Sequence, residues 1–290
     1  MKQIKYLLAV SGGPDSMFLL DKYKNQNIVV ATVNYNKRID SNYDVSVVEK
    51  FCNKYKIHFE LLDLKEHEKK SNNFQTDARI VRYEFFKKIY TQYNCSKLIV
   101  AHHKDDFLET ALMQQRSNRK INYWGIKKQT KIFGMNVFRP FIDKYWKDEI
   151  QKKCIKKGIE FAKDYTNDQP VYERNKIRIE LKNKSRIQKQ TMINKFVFKN
   201  LLLKRKNHKI QKELKIWKDN FYSCNAKLLN TFKYKNELLY ELINEKYQGI
   251  NLTQGKIKSI WDFIYSKNGA KNYKLKDEIF LIKSHNCLVF

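Results

Sequence analysis

Ser11-Gly12-Gly13-Pro14-Asp15-Ser16 stands between the apolar run Tyr6-Leu7-Leu8-Ala9-Val10 and a second run, Met17-Phe18-Leu19-Leu20. The order reads as strand, tight loop, helix. Two glycines let the backbone turn sharply and approach a ligand with no Cβ in the way. The first N–H groups of the helix that follows have no internal partner, and the positive end of its dipole favours an anion. Pro14 suits a first helical turn, where a missing N–H costs nothing. Asp15 and Ser16 add a carboxylate and a hydroxyl beside the bound group. The spacing is not that of a Walker loop, whose lysine is absent. Gly, Pro, Asp and Ser also build ordinary turns. The complete hexapeptide at the first strand–helix junction, rather than the glycines alone, predicts a phosphate cradle.

The rest of the first half supplies the setting. Tyr6–Val10, Ile28–Val33, Phe59–Leu62 and Leu98–Ala101 read as short buried strands. Between them Val45, Val48, Cys52 and Tyr55 recur at helical spacing, as do Ala78, Val81, Phe85 and Ile89. Strand alternating with helix predicts an α/β fold, a doubly wound parallel sheet with right-handed crossovers. Ligands of such sheets bind beyond the carboxyl ends of the strands, where Ser11–Ser16 falls.

The fourth strand leads into His102-His103-Lys104-Asp105-Asp106-Phe107-Leu108-Glu109-Thr110. One reading is structural: Asp106 as a helix N-cap with Glu109 three residues on, in a turn where acids suit the dipole. The other is chemical. These acids belong to the same edge of the sheet as the phosphate loop, and carboxylates beside phosphates serve to hold Mg²⁺ or a cationic substrate.

A chain of 290 residues, 42% hydrophobic, can bury a full core. Its formal charge of +29, from 59 basic and 30 acidic residues, is the footprint of a nucleic-acid partner, although an A/T-rich coding bias toward Lys, Asn, Ile, Phe and Tyr would produce part of it. The five cysteines are scattered and never form a C-x-x-C pair, which speaks for a reducing compartment and against a disulfide frame or a zinc or iron–sulfur site. With no apolar run near the roughly 18 residues of a membrane span, the expectation is a cytoplasmic protein with no membrane partner. After about Arg174 glycine and proline nearly vanish. Basic residues crowd together in Lys204-Arg205-Lys206-Asn207-His208-Lys209, and Phe196, Leu202, Leu203, Leu214, Ile216 and Trp217 keep helical spacing. This region predicts basic helices suited to RNA phosphates, with Tyr222 and Tyr234 as stacking candidates.

The hexapeptide resembles the S-G-G-x-D-S loop of the ATP pyrophosphatases, the PP-loop group with the adenine nucleotide alpha-hydrolase fold. His103 to Thr110 resembles the H-x-D-D-Q-x-E-T block of the tRNA(Ile)-lysidine synthases. Three further stretches are similar to segments of that family in the same order: Asp77-Ala78-Arg79-Ile80-Val81-Arg82-Tyr83, Arg139-Pro140-Phe141, and Asp164-Tyr165-Thr166-Asn167 with Arg174-Asn175-Lys176-Ile177-Arg178. Gly255 to Phe290 resembles the end of the family's first carboxyl-terminal domain. Phe107 stands where the family has glutamine, and Thr166 where it has serine. A tRNA thiolase would need paired cysteines that this chain lacks, and an ammonia-using ligase a source domain that the length hardly accommodates.

The resemblance implies a ligase that uses ATP and Mg²⁺ to attach free L-lysine to the wobble cytidine of tRNA(Ile) with a CAU anticodon. It implies a catalytic domain over 1–188 and a helical tRNA-binding arm with a small domain over 189–290. On this reading Ser11, Gly12, Gly13, Pro14, Asp15 and Ser16 bind ATP. Asp15, Asp106, Arg79 and Arg174 carry the chemistry, and Asp105, Asp106 and Glu109 receive lysine. Asp15 and Asp105 are the Mg²⁺ candidates, and His103, Arg82, Asn175 and Arg178 are accessory. For Arg82 and Arg178 a solvated helix-face charge is an equal alternative.

Overall fold

The computed structural model describes residues 4–36, 41–64, 74–117, 121–162, 173–247, 250, 252–266 and 271–290. The chain divides into two compact units, Met1–Lys199 and Asn200–Phe290.

In the first unit β1 (Tyr6–Ala9) is followed by α1 (Pro14–Tyr23), β2 (Ile28–Asn34), α2 (Ser41–Tyr55), β3 (His58–Asp63), α3 (Phe74–Gln92), β4 (Lys97–Val100) and α4 (Lys104–Arg116). Then come β5 (Gln129–Ile132), β6 (Met135–Phe138), α5 (Lys147–Lys156) and α6 (Glu173–Lys182). The strands form one sheet in the order β3-β2-β1-β4-β6-β5. All neighbours are parallel except the edge hairpin, where β5 runs antiparallel to β6. The four expected strands are present within a residue or two of their predicted ends. The β5–β6 pair was not expected, because Gln129-Thr130-Lys131-Ile132 is mostly polar, as an edge strand can be.

The alternation of side chains along each strand builds two cores. Leu8, Val30 and Ile99 face a layer made by Met17, Phe18 and Leu20 of α1, Val48 and Cys52 of α2, and Ile150 and Cys154 of α5. Leu7, Val29 and Leu98 face the other way, onto Tyr83, Phe86 and Ile89 of α3. Each large apolar side chain so buried contributes about 1.5–3 kcal/mol. Because β1 pairs with both β2 and β4, the winding direction reverses between β1 and β4. A crevice opens at that switch point, beyond the carboxyl ends of the two strands.

α7 (Arg186–Asp219) begins in the first unit and ends in the second. Its early residues Ile193 and Phe196 pack with Ile177 and Leu181 of α6 and with Phe107 and Leu108 of α4. The second unit continues with α8 (Ala226–Leu229), α9 (Lys235–Lys246) and α10 (Gln254–Tyr265), closed by the antiparallel strands β7 (Asn272–Lys276), β8 (Ile279–Ser284) and β9 (Cys287–Val289). Fully buried Trp217 stacks on Trp261 with centroids 5.9 Å apart, amid Leu238, Leu242, Ile260 and Leu281. The helical character expected of this half is found, and the three-stranded sheet is an addition to it. Tyr222 and Tyr234 are not open stacking faces. Tyr222 meets Trp217 and Phe290 edge-on at 6.0 and 5.0 Å, and Tyr234 packs against the same core.

Candidate active site

The loop after β1 is held from three sides and from within. Gly12 has φ +81°, and a Cβ there would lie 2.5 Å from the carbonyl oxygen of Asp44, so α2 packs directly on its backbone. The Gly12 carbonyl accepts the Ala162 N–H at 3.0 Å, and the Pro14 carbonyl accepts the Cys154 thiol at 3.4 Å. Inside the loop the Ser16 hydroxyl donates to the Gly13 carbonyl at 2.9 Å and accepts the Ser11 N–H at 3.1 Å. Gly13 is the N-cap of α1 and Pro14 opens it. The first N–H groups are thereby aimed beyond the end of β1.

At the end of β4 the structure corrects the expected cap. His103, not Asp106, is the N-cap residue of α4, and Asp106 sits three residues into the motif with its Oδ2 accepting the His103 N–H at 3.0 Å. That leaves Glu109 for other partners. Nε of Arg174 donates to Glu109 Oε2 at 2.6 Å, and Nη2 of the same guanidinium reaches Asp106 Oδ1 at 2.8 Å. Nε of Arg178 donates to Glu109 Oε1 at 2.9 Å. Residues 174 and 178 lie one helical turn apart on α6, as do 105 and 109 on α4, so the two faces match. Asp105 Oδ2 accepts the backbone N–H of Lys147, the first residue of α5, at 2.8 Å.

His103 is the centre of this cluster. It is 4% exposed, with its ring nitrogens 3.5 Å from Asp15, 3.5 Å from Asp105 and 3.4 Å from Asp106. Burial alone would push its pKa down, but Asp106, Asp15 and Asp105 outweigh it and lift it to about 9, which favours the imidazolium. Asp106 responds in the opposite sense. Burial would raise its carboxyl, yet His103, His102, Arg174 and the His103 N–H together hold it below the usual carboxylate range.

A cavity of about 240 Å³ joins these parts, lined by Ser11, Gly13, Asp15, Ser16, Arg82 and Asp106 together with Val33, Tyr83, Phe86, Val100 and His102. One part of the wall is polar and phosphate-binding in character; the other is apolar and aromatic, as a nucleoside requires. A second cavity of about 150 Å³ is lined by Asp105, Glu109, Lys147, Arg178, Ile179, Leu181, Lys182 and Lys189. Arg79 is exposed with its guanidinium 4.9 Å from the Tyr83 ring centroid, Asn175 is buried on α6, and neither lines either of these two cavities. Asp164-Tyr165-Thr166-Asn167 lies outside the described residues. Sequence reasoning missed Val33, Phe86 and His102 as wall residues. The signal for His102 was its place beside His103, at the end of a strand neighbouring the one that carries the loop.

No described helix is long and apolar enough to cross a membrane. Residues 1–185 match the family described as the PP-loop domain. The chain is 45% identical to the tRNA(Ile)-lysidine synthase of Mycoplasmopsis pulmonis over 96% of each chain, and 38% identical to that of Mesomycoplasma hyopneumoniae over 96% of this chain and 93% of the relative. Among solved structures a U34-tRNA thiolase of Methanococcus maripaludis superposes with a TM-score of 0.53 at 18% identity, over 69% of this chain and 72% of the other, a likeness of fold. With a PP-loop crevice at its switch point and near-complete alignment to these relatives, the chain belongs to the tRNA(Ile)-lysidine synthase family.

Proposed function

We propose that the chain uses ATP to join free L-lysine to carbon 2 of the wobble cytidine in tRNA(Ile) carrying the CAU anticodon, through an adenylated cytidine, releasing AMP and pyrophosphate. The observation that carries this reading is the convergence of the phosphate loop and the α4 carboxylate cluster on one crevice, in a chain of this family. In the first step the cytidine carbonyl oxygen attacks the α-phosphorus and pyrophosphate leaves. The loop N–H groups, the Ser11 hydroxyl and Arg82 meet the negative charge that gathers on the phosphates, and Ser16 braces the loop from inside through its bond to the Gly13 carbonyl. Arg174, tied to Asp106 and Glu109, and Arg79, on the exposed face of α3, are assigned to phosphate or anticodon contact.

Asp15 Oδ1 is a buried oxygen with no partner, an atom suited to a cation. No cluster of three or more acidic, His or Cys side chains that could hold a metal occurs among the described residues. The unpartnered Asp15 oxygen beside the loop fits Mg²⁺, which is commonly held by one or two carboxylates together with substrate phosphates. Asp15, with Asp105 across His103, would hold it, and the ion would supply charge neutralisation at the phosphates. His103 keeps the three surrounding carboxylates in one arrangement and has a proton to exchange with them.

In the second step the lysine ε-amine attacks carbon 2 and AMP departs. Asp105, Asp106 and Glu109 are the residues assigned to lysine. Asp106 and Glu109 also hold α6 in place, and Asp105 and Glu109 line the smaller cavity. Its wall suits a zwitterion with an aliphatic chain: carboxylates for an ammonium, Lys147 and Lys189 for a carboxylate, Ile179 and Leu181 for the methylenes. Arg178 is part of this wall, and Asn175, buried on the same helix, is assigned an accessory role. Residues 1–188 are assigned to catalysis and 189–290 to the grip on tRNA, through exposed basic residues such as Lys204, Arg205 and Lys209.

The test supplies CAU-anticodon tRNA, ATP, Mg²⁺ and radiolabelled lysine. Label enters the wobble cytidine while AMP and pyrophosphate appear in equal amounts. Replacing that cytidine with uridine stops incorporation, because only the exocyclic amine allows a stable cationic product. ADP as the nucleotide product, or ATP hydrolysis indifferent to tRNA, would exclude the reaction.

A further inference from the structure

His102 follows β4, lines the nucleotide cavity and has no part in the reaction as assigned above. Its Nδ1 accepts a hydrogen bond from Nε of Arg139 at 3.1 Å. Arg139 is itself 4% exposed and fixed by two more bonds: Nη1 donates to the Lys127 carbonyl at 2.8 Å, and its backbone N–H to the Lys128 carbonyl at 2.9 Å. A guanidinium donates and never accepts, so Nδ1 of His102 carries no proton. The single ring hydrogen of the neutral imidazole is then on Nε2. That nitrogen has no hydrogen-bond partner among the described residues.

On balance the surroundings of the ring favour the same neutral form. Burial lowers its pKa most; Asp106 raises it, and Arg139, Arg174 and His103 lower it, with a net result of about 4. His102 is thus held as a neutral donor against a buried arginine.

We infer that His102 is a nucleotide-binding residue whose Nε2–H donates to an acceptor atom of the adenine nucleotide in the crevice, and that Arg139 is the positioning residue that fixes its tautomer. The inference rests on the reading of this crevice as the ATP site. A neutral N–H recognises an acceptor by direction without adding charge beside Asp106, whereas a cation at the same place would compete for that carboxylate.

The experiment is nitrogen NMR on the full chain labelled in histidine, with His102→Gln used to assign the ring, and a parallel sample labelled in the backbone. At ~pH 7 the His102 ring shows the Nε2–H tautomer, and ATP shifts Nε2. An imidazolium or an Nδ1–H tautomer overturns the inference. So does an Nε2 signal that ATP leaves unmoved while the amides of Ser11–Ser16 respond. If ATP moves neither, the ATP-site reading falls and this inference with it. Kinetics give a second readout. His102→Asn, whose amide falls short of the Nε2 position, raises KM for ATP about five- to tenfold, the loss of one hydrogen bond, with little change in kcat. His102→Gln, which carries an N–H near that position, recovers most of the loss. Equal KM values in the two variants would remove the assignment.

Discussion

Arg174 donates to Asp106 at 2.8 Å across 68 positions of sequence, fastening α6 to the first turns of the acidic helix. The same guanidinium holds Glu109, so three charged groups share one geometry. Their substitutions will not act independently. Asp106→Asn and Arg174→Ala should each lower kcat/KM, and the double variant should lose less than the sum, with a coupling of about 1–3 kcal/mol. Strictly additive losses in the cycle would mean that the ion pair has no bearing on catalysis.

Asp15 carries the orphaned oxygen of the crevice and is 27% exposed at its side chain, so it is not part of the packed core. Asp15→Ala should cost about 10²–10³ in kcat, the scale for loss of a charge-stabilising group, with unchanged circular dichroism and melting temperature. Normal turnover in this variant would move the chemistry elsewhere.

The two loop glycines should differ in tolerance. A Cβ on Gly12 meets the Asp44 carbonyl at 2.5 Å on a backbone with φ +81°, whereas the nearest atom to a Cβ on Gly13 is the Ser11 hydroxyl at 3.8 Å. Gly12→Ala is expected to destabilise the protein by about 1–3 kcal/mol, and Gly13→Ala by well under that, both read from urea unfolding. Equal costs would show that α2 yields to the added carbon.

Asp21 joins Lys24 and Lys157 at 2.7 Å each, tying α1 to the turn after α5. Burial alone would raise its carboxyl, but the hydrogen bonds and charges of Lys157 and Lys24 outweigh burial and lower it. A folded pKa below the unfolded value of roughly 3.9 gives stability that is complete above that value and lost as the pH falls through the folded one. Asp21→Asn should therefore cost about 1–2 kcal/mol near neutral pH, moderated by the exposure of Lys157. The difference from the parent should shrink at ~pH 3. A penalty independent of pH would assign the effect to packing.

Lys204 and Arg205 are exposed on α7 and have no ion-pair partner among the described residues. Reversing both to glutamate should weaken tRNA binding several-fold and leave KM for ATP unchanged. For the parent chain, log K should fall with log salt by roughly 0.7–0.9 per phosphate contact. Salt-insensitive binding, or an unaltered affinity in the reversed variant, would take the tRNA contact away from this face.

The loop, the four strands β1 to β4 and the acidic helix could be read from the sequence because their signals are local: alternation along a strand, glycines at a turn, acids in a first helical turn. What could not be read is pairing across distance. Nothing near Glu109 indicates that both of its oxygens are taken by Arg174 and Arg178, nor does anything near His102 point to Arg139, 37 residues on. The cap was misplaced because an aspartate is the commoner N-cap, whereas here His103 takes that place and Asp106 bonds back to it. The strands β7 to β9 were missed because charged residues interrupt them. The turn that joins β8 to β9 is built on His285 and Asn286, both with positive φ, a hairpin signal carried by an uncommon pair of residues.

The stitching of the phosphate loop also bears on how the chain is made. Residues 11–16 leave the ribosome before the rest of the site, yet the Pro14 carbonyl waits for a thiol 140 positions later, and the Gly12 carbonyl for Ala162. Synthesis runs from the amino end and distant contacts close last. The nascent chain therefore cannot hold a nucleotide in the final geometry until nearly the whole first unit has been translated, and the earliest part of the site to emerge is the last to become rigid.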